Sequence, residues 1–303
     1  MKVGLAGTFS FSVGLGHLFR LKGLYAELRT LTDVVFFSQS PEQSKLLEAV
    51  GIDHVDIKDF DCRHLIYDGR TKIDQLTPKL NAVLENSVLM DSVENFEPKF
   101  GKSVVPSFYI SSLNRKKLEW NFDKSCTGIE YFMIRNSITK EIKKPIVTFG
   151  GSDPNNLTQK IANILGDNAF YILGPLYGEK RKTELLLSVS QKHIINAPSD
   201  TYSYLAGCTC VITALGTTLQ EIELLQKPCF IVANYLADLK DYIAIKNCSS
   251  RPEIFMGYVH FQDNFKEEIR VFVNKNNEIK SELNYDHKLH NLIAANLWIE
   301  LLK

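Results

Sequence analysis

Short apolar runs alternate with amphipathic segments along most of the chain. Lys2–Ala6 predicts a buried first strand, and a glycine-rich loop and a helix over about 17–30 follow it. The apolar residues of that helix recur at helical spacing. Strands that alternate with helices in this way are typical of parallel α/β proteins. The other elements predicted in the first half are strands at 33–38, 88–90 and 104–110 and helices at 41–50 and 70–84, the last interrupted or ended by Pro78.

A second series of strands and helices begins after Arg135. Five strand–helix repeats within about 110 residues predict a doubly wound parallel sheet. We therefore expect an α/β protein of two Rossmann-type doubly wound domains, with a ligand cleft between the domains. The predicted strands of this half are 146–149, 169–173, 194–196, 208–213 and 229–232, and the predicted helices are 154–165, 179–190, 200–206, 217–225 and 239–246.

The polar segment Asn136–Lys144 predicts the linker between the two domains. We expect an N-terminal domain over 1–138, which contains His17, and a C-terminal domain over 139–282. The last residues, 283–303, form an amphipathic pattern that predicts a helix crossing back toward the first domain.

Composition and charge narrow the classes of function. The 303 residues are 45% hydrophobic, and 35 basic residues balance 35 acidic ones. A general nucleic-acid or anionic-membrane binder usually carries a basic excess, so neither partner is expected. No run of about 18 apolar residues occurs, which predicts no integral membrane segment. Six cysteines without paired spacing indicate reduced thiols and a cytoplasmic protein.

The first of three glycine-rich loops contains Gly14, Gly16, His17 and Arg20. Its two glycines allow a tight turn or a close approach to a ligand, and the next helix begins near His17. The loop lacks the third glycine of the dinucleotide-binding fingerprint, because Phe19 stands at that position. A neutral histidine at a cleft suits a general base. The alternative is a simple turn that His17 caps.

The second loop, Phe149–Asn156, also joins a predicted strand to a helix. Gly150 and Gly151 free backbone N–H groups for an anion such as phosphate, and Ser152 adds a hydroxyl. The alternative is a capped turn in which Ser152 or Asp153 is the N-cap. No lysine follows at the P-loop position, which argues against a phosphate-transferring NTPase.

The third loop places Gly216, Thr217 and Thr218 before a predicted helix. Glu221 lies one turn inside that helix, where its carboxylate could accept hydrogen bonds from the two hydroxyls of a ribose. The alternative is a capping box in which Thr218 is the N-cap and Glu221 its partner. Two loops that offer donors to phosphate indicate a nucleoside diphosphate.

These loops belong to an ordered set of motifs that spans roughly residues 1 to 240. The set resembles the UDP-sugar hydrolases of pseudaminic acid biosynthesis and the spore-coat polysaccharide proteins of the SpsG type, which have the GT-B glycosyltransferase architecture. The motifs are Gly14-Leu15-Gly16-His17-x-x-Arg20, Gly128–Arg135, Phe149-Gly150-Gly151-Ser152-Asp153-Pro154-x-Asn156, Leu173-Gly174-Pro175-x-Tyr177 and Gly216-Thr217-Thr218-x-x-Glu221.

The resemblance implies a GT-B-like protein whose second domain binds UDP and whose first domain lies on the sugar or acceptor side. His17 would activate water against the anomeric carbon, UDP would leave, and no metal ion would take part. The implied nucleotide and phosphate residues are Gly14, Gly16, Gly150, Gly151, Ser152, Gly216, Thr217, Thr218 and Glu221, and the sugar-side candidates are Arg20, Asp91, Asn155 and Asp238.

Three sugar-side positions depart from the family. Its members usually carry an Arg and an Asp shortly before the first loop, where residues 7–12 of this chain contain neither. Asp91-Ser92-Val93 lacks the Tyr of the family's Asp-x-Tyr, and Asp238-Leu239 stands where the family has Asn-Gln. The pattern indicates a nucleotide-sugar scaffold with an altered sugar specificity or reaction outcome.

Three functions remain open at this point. The first is a hydrolase that releases UDP from a UDP-linked acetamido or deoxy sugar. The second is a GT-B glycosyltransferase that moves the sugar to a glycan or protein hydroxyl, as in surface polysaccharide or flagellin glycosylation. The third is a non-catalytic nucleotide-sugar binder, which loss of His17 would leave unaffected.

Overall fold

The computed structural model describes residues 1–10, 15–69, 77–90, 100–110, 125–134, 140, 142–198, 200–277 and 286–303. The chain divides into a first unit, Met1–Ile134 with His287–Lys303, and a second unit, Arg135–Asp286. The strands are β1 Lys2–Gly7, β2 Asp33–Ser38, β3 His54–Asp56, β4 His64–Asp68, β5 Val88–Met90, β6 Lys102–Val105, β7 Ser125–Thr127, β8 Ile146–Thr148, β9 Phe170–Leu173, β10 Ile194–Asn196, β11 Val211–Thr213, β12 Cys229–Ala233 and β13 Phe255–His260. The α-helices are α1 Gly16–Leu28, α2 Pro41–Ala49, α3 Pro78–Val83, α4 Leu157–Leu165, α5 Glu179–Leu185, α6 Tyr202–Gly207, α7 Thr218–Leu225, α8 Asp238–Cys248, α9 Lys266–Asn276 and α10 His287–Leu301.

The first unit is built on a seven-stranded parallel sheet in the order β3-β2-β1-β4-β5-β6-β7. Its central strands are apolar on both faces, as expected for a parallel sheet that helices cover. Strand β1 pairs with β4 so that Gly7 lies opposite Asp68. A Cβ on Gly7 would overlap the Asp68 carbonyl oxygen and lie 2.7 Å from Leu21 Cδ1. Glycine there lets α1 pack closely over the ends of both strands.

The C-terminal helix α10 packs on α1 and on the segment around residues 129–134 of the first unit. Trp298 is fully buried, and its Nε1 donates to the Tyr131 carbonyl oxygen at 3.0 Å. The buried Asn291 accepts from Ile134 N at 2.9 Å and donates to Ile134 O at 2.6 Å. These paired amide hydrogen bonds join the end of the chain to a segment about 160 residues earlier.

The second unit is built on a six-stranded parallel sheet in the order β10-β9-β8-β11-β12-β13. Its apolar core fills the space between this sheet and the helices α4, α5 and α9. The loops that follow β8, β11 and β12 lie at the carboxyl edge of three adjacent strands. In parallel α/β sheets this edge is where ligands bind.

The predicted α/β class is confirmed, but several elements differ from their predicted bounds. Strands β3, β4, β7 and β13 and helix α9 were not predicted. Pro78 begins α3, with Thr77 as its N-cap, because a proline at the first helical position needs no N–H partner. Of the strand predicted over 104–110 only the part up to Val105 is strand, and the helix predicted from 154 begins at Leu157. Residues 70–76 of the predicted helix over 70–84 lie outside the described residues.

Candidate active site

His17 and Asp68 meet at the carboxyl edge of the first unit's sheet. Helix α1 begins at Gly16, so His17 lies in its first turn, and Asp68 is the last residue of β4. His17 is 9% exposed, and Asp68 is fully buried. The Nδ1 atom of His17 lies 2.7 Å from Asp68 Oδ1. The fold thus brings together two residues that are 51 positions apart in the sequence.

Arg20 lies one turn further along α1 and binds the same carboxylate. Its Nε donates to Asp68 Oδ2 at 2.7 Å, and its Nη2 contacts Asp68 Oδ1. Burial by itself would raise the pKa of Asp68, but the Arg20 guanidinium and His17 beside it outweigh burial and hold the pKa below its ordinary value. Asp68 is therefore ionised at neutral pH.

The ionised carboxylate determines which nitrogen of His17 carries the proton. A carboxylate only accepts hydrogen bonds, so Nδ1 of His17 must donate to Asp68. Arg20 Nη2 lies 3.1 Å from Nδ1, and both N–H groups point at the same carboxylate oxygen. With this proton on Nδ1, the ring atom left to bind a further partner is Nε2, which has no hydrogen-bond partner among the described residues. This is the protonation pattern of a histidine held ready to accept a proton.

Contacts with Thr8 hold the end of β4, which carries Asp68. The Asp68 carbonyl oxygen accepts from Thr8 N at 2.8 Å, and the Tyr67 hydroxyl lies 2.9 Å from Thr8 Oγ1. A Cβ on Gly69 would overlap that Thr8 hydroxyl. The segment that leaves β1 is therefore hydrogen-bonded to the end of β4.

Asp68 is a candidate functional residue that the sequence pattern did not identify. The available signal was the short apolar run Leu65–Tyr67 followed by Asp68 and Gly69, which matches the end of a buried strand. Arg20, predicted on the sugar side, lies against Asp68. Gly14 and Asp91 lie outside the described residues, so the structure says nothing of them.

In the second unit, the loop after β8 turns its carbonyl groups toward one neighbouring segment. Leu176 N donates to Gly151 O at 2.9 Å. Arg181 Nη1 donates to Ser152 O at 3.2 Å and to Asp153 O at 2.7 Å. A Cβ on Gly174 would overlap the carbonyl oxygens of Gly150 and Gly151. Segment 174–181 therefore packs against the carbonyl side of this turn.

The N–H groups of the same turn point the other way. In a trans peptide the carbonyl of one residue and the N–H of the next are opposed. The N–H groups of Gly151, Ser152 and Asp153 consequently point away from segment 174–181, and none has an acceptor among the described residues. Consecutive N–H groups that lack an acceptor are the donors from which backbone anion-binding sites are built.

Asp153 caps the helix that follows this turn. Its two carboxylate oxygens accept from Leu157 N at 2.8 Å and Thr158 N at 2.9 Å, and the residue is 2% exposed. The alternative for this loop had Ser152 or Asp153 as the N-cap; in the structure Asn156 is the N-cap residue, and the Asp153 carboxylate supplies the capping hydrogen bonds. It uses the first amides of α4 and leaves the N–H groups of Gly151, Ser152 and Asp153 unused.

The loop after β11 lies next to the loop after β8 at the same edge. Gly216 and Thr217 are exposed, and α7 begins at Thr218. The N-cap residue is Thr217 and Thr218 is the first helical residue, so the capping box considered from the sequence, with Thr218 as N-cap, is not formed; the Thr217 side chain makes no capping hydrogen bond. Glu221 lies in the first turn of α7. Two positions further along, the buried Glu223 binds Ser249 and Ser250.

Asn155 and Asp238, two predicted sugar-side residues, are joined through Asn234, which the sequence pattern missed. Asn155 Nδ2 donates to Asn234 Oδ1 at 2.9 Å. Asp238 Oδ2 accepts from Asn234 N at 3.0 Å and Tyr235 N at 3.1 Å. Burial raises the pKa of Asp238 above its ordinary value. These hydrogen bonds of Asn234 link the loop after β8 to the loop after β12, across the end of β11.

No three His, Cys, Asp or Glu side chains among the described residues are grouped to hold a metal ion. None of the described helices is both long and apolar enough to cross a membrane.

No family model matches the chain. It is 26% identical over 268 residues to uncharacterized protein MJ1062 of Methanocaldococcus jannaschii, a match that covers 77% of this chain and 55% of that protein. The chain therefore spans about half the length of this relative.

Solved structures resemble the whole chain at low identity. The spinosyn rhamnosyltransferase SpnG matches with a TM-score of 0.57 at 10% identity, covering 100% of both chains. The glycotransferase of kitacinnamycin matches with a TM-score of 0.56 at 11% identity, covering 100% of this chain and 99% of that one. UDP-GlcNAc 2-epimerase from Methanocaldococcus jannaschii matches with a TM-score of 0.51 at 13% identity, with the same coverage. The chain has a GT-B-like fold. Its two parallel sheets are the two Rossmann-like domains of that fold.

Proposed function

We propose that the chain is a nucleotide-sugar hydrolase that cleaves the bond between the anomeric carbon and the diphosphate of a UDP-linked sugar. The observation that carries the proposal is the arrangement of His17, whose Nδ1 is held by the buried Asp68 carboxylate and whose Nε2 is unpaired among the described residues. A histidine oriented in this way can take a proton from water as the water oxygen attacks.

The reaction balances without a further reactant. Nε2 of His17 accepts one proton of water while the water oxygen bonds to the anomeric carbon. The bond from that carbon to the phosphate oxygen breaks, and its electron pair leaves with UDP. Asp68 stabilises the imidazolium that forms, and Arg20 keeps Asp68 ionised. Asp68 and Arg20 are positioning residues, whereas His17 is the catalytic residue.

The second unit supplies the nucleotide site in this proposal. The outward N–H groups of Gly151, Ser152 and Asp153 suit the charge of a diphosphate, as fixed dipoles suit a leaving group that gains negative charge. Gly216, Thr217 and Thr218 at the start of α7 add further donors. Glu221 would accept hydrogen bonds from the ribose hydroxyls. No metal ion takes part in the proposed reaction.

The substrate class follows from the resemblance to the hydrolases of pseudaminic acid biosynthesis. An acetamido or deoxy sugar is the expected glycosyl group. Asn155 and Asp238 are described residues that we expect to contact this sugar. The altered sugar-side positions predict that the preferred sugar differs from that of the family.

A glycosyltransferase is the second candidate. The whole-chain likeness to the spinosyn rhamnosyltransferase and to the kitacinnamycin glycotransferase favours it. In that reaction a glycan or protein hydroxyl replaces water, and His17 remains the base. The same residues would serve both reactions, so the acceptor distinguishes them.

Release of UDP from a panel of UDP-sugars without an acceptor tests the proposal. The panel includes acetamido and deoxyamino sugars. Rapid UDP release that depends on His17 is the expected result, and it also identifies the sugar. Tight UDP binding with negligible release would favour the transferase, and no UDP binding would contradict both proposals.

A further inference from the structure

Arg181 makes contacts that the folding of its own helix does not require. It lies in the middle of the short helix α5, and its Nη1 donates to two consecutive carbonyl oxygens, Ser152 O at 3.2 Å and Asp153 O at 2.7 Å. Both carbonyls belong to the turn after β8. The side chain therefore reaches across about 28 residues of sequence to the back of the candidate phosphate loop.

The turn needs a group of this kind. Its carbonyls are gathered on one side, where their partial negative charges repel one another. Leu176 N binds one of them, and the cationic Arg181 binds two. Asp153 also has a φ of 45°, in the left-handed region that residues other than glycine rarely adopt. External contacts must hold such a backbone in place.

We propose that Arg181 is a positioning residue for the phosphate groups of the nucleotide. It acts from the carbonyl side of the turn: its bond to Ser152 O holds the peptide unit that carries the Asp153 N–H, and its bond to Asp153 O anchors the next unit, which ends at Pro154. The backbone next to the N–H groups of Gly151 and Ser152 is thereby held in place. When Ser152 O and Asp153 O lose their cationic partner, the peptide unit that carries the Asp153 N–H can rotate, and the turn no longer holds its N–H groups toward the anion. This inference rests on the proposed nucleotide site.

The Leu173–Tyr177 motif gains a physical role from the same contacts. Gly174 lets segment 174–181 lie against the turn, and Leu176 and Arg181 then bind its carbonyls. Tyr177 Oη lies 3.3 Å from Asn156 Oδ1 at the far end of the turn. One segment thus binds the phosphate loop at four residues, Gly151, Ser152, Asp153 and Asn156.

The test compares R181M, R181K and the control K180M in the full-length chain. Methionine keeps the length of the side chain and removes its donors, and lysine keeps one charged donor. Lys180 is an exposed cation one residue earlier on α5, so K180M removes the same charge without touching the turn. Titration calorimetry with UDP and with inorganic pyrophosphate gives the affinities, and thermal unfolding gives the stability of each variant.

We expect R181M to weaken both ligands by about tenfold, which corresponds to about 1.4 kcal/mol. R181K should fall between R181M and the wild type, and K180M should match the wild type. Equal affinities for R181M and K180M would overturn the inference and leave the proposed function standing, even if R181M unfolds at a lower temperature. A wild-type chain that binds neither ligand would contradict both.

Discussion

The carboxyl edges of the two sheets carry different kinds of chemistry. In the first unit, three ionisable side chains, His17, Arg20 and Asp68, lie within hydrogen-bond distance of one another and are largely buried. In the second unit, the turn after β8 presents backbone N–H groups, and its charged neighbours Asp153 and Arg181 bind backbone atoms. The same topology therefore supports a side-chain site in one unit and a backbone site in the other.

The difference suits two separate tasks. An imidazole can accept and return a proton, which a backbone amide cannot do at neutral pH. Backbone N–H dipoles can stabilise a diphosphate without carrying a full charge, so their hold on a departing anion stays moderate. We infer that the first unit performs the proton transfer and the second unit binds the nucleotide.

The largest effect is expected for His17→Ala. Loss of the proton acceptor should lower UDP release by about 10³-fold, within the usual range for general-base catalysis. A coupled assay for UDP measures this directly. His54→Ala is the control, because His54 lies in the same unit and its Nδ1 contacts only the Ile52 carbonyl among the described residues. Unchanged release by H17A would remove His17 from the reaction.

Asp68→Asn should have the next largest effect. The substitution removes the charge that orients His17 and leaves Arg20 without its carboxylate, so turnover should fall by about a hundredfold. The free energy of unfolding should fall by about 3 kcal/mol, because a buried charge loses its partner. Asp61→Asn is the control, since Asp61 pairs with Lys2 at the exposed surface. Turnover that survives in D68N would contradict the role of Asp68.

The pH dependence of unfolding sharpens the same prediction. The pKa of Asp68 is lowered in the folded chain, so its contribution to stability is complete above its ordinary pKa of about 3.9 and is lost as the pH falls through the folded value. The stability gap between wild type and D68N should be constant above about pH 5 and should narrow below about pH 4. A gap that stays constant at lower pH would contradict an ionised Asp68 in the ion pair.

Glu221 and Glu223 provide a matched pair in the second unit. Glu221→Ala should weaken UDP binding by about tenfold through the ribose hydroxyls. Glu223→Gln should leave UDP affinity unchanged and lower the free energy of unfolding by about 1 to 3 kcal/mol, because the buried carboxylate binds Ser249 and Ser250. Calorimetric titration and thermal unfolding of both variants measure the two effects. An unchanged dissociation constant for E221A would reduce Glu221 to a structural residue of α7.

The smallest effect is expected for removal of divalent metal ions. In the proposed reaction the backbone site neutralises the leaving diphosphate, so UDP release should persist in excess EDTA. Release is measured before and after addition of EDTA, and again after Mg²⁺ is restored. Complete loss that Mg²⁺ reverses would show that a metal ion shares the leaving-group role.

The sequence predicted the parts of the fold that local pattern determines. Strands β2, β5 and β10 have their predicted bounds, because apolar runs between polar turns are a local signal. Strand β4 was missed, although its apolar run Leu65–Tyr67 is as long as that of β5. The glycine-rich loops lie at strand ends of the parallel sheets. The alternation of strands and helices along the sequence was sufficient to predict this position.

The contacts that build the site lie beyond local pattern. Arg20 and Asp68 are 48 residues apart, and Asn155 and Asn234 are 79 apart, so only the folded chain brings them together. A cap by Asp153 could be considered from the sequence alone, because its hydrogen bonds join residues only four and five positions apart. The role of Arg181 requires the direction of each carbonyl in the turn, which no spacing rule supplies.

Titration of UDP into wild type and H17A tests the division of tasks most directly. If the first unit supplies the proton acceptor and the second unit binds the nucleotide, the two dissociation constants for UDP should agree within about twofold. The same H17A sample should show almost no UDP release from the preferred UDP-sugar. A dissociation constant raised about tenfold or more in H17A would place His17 in nucleotide binding and contradict the account.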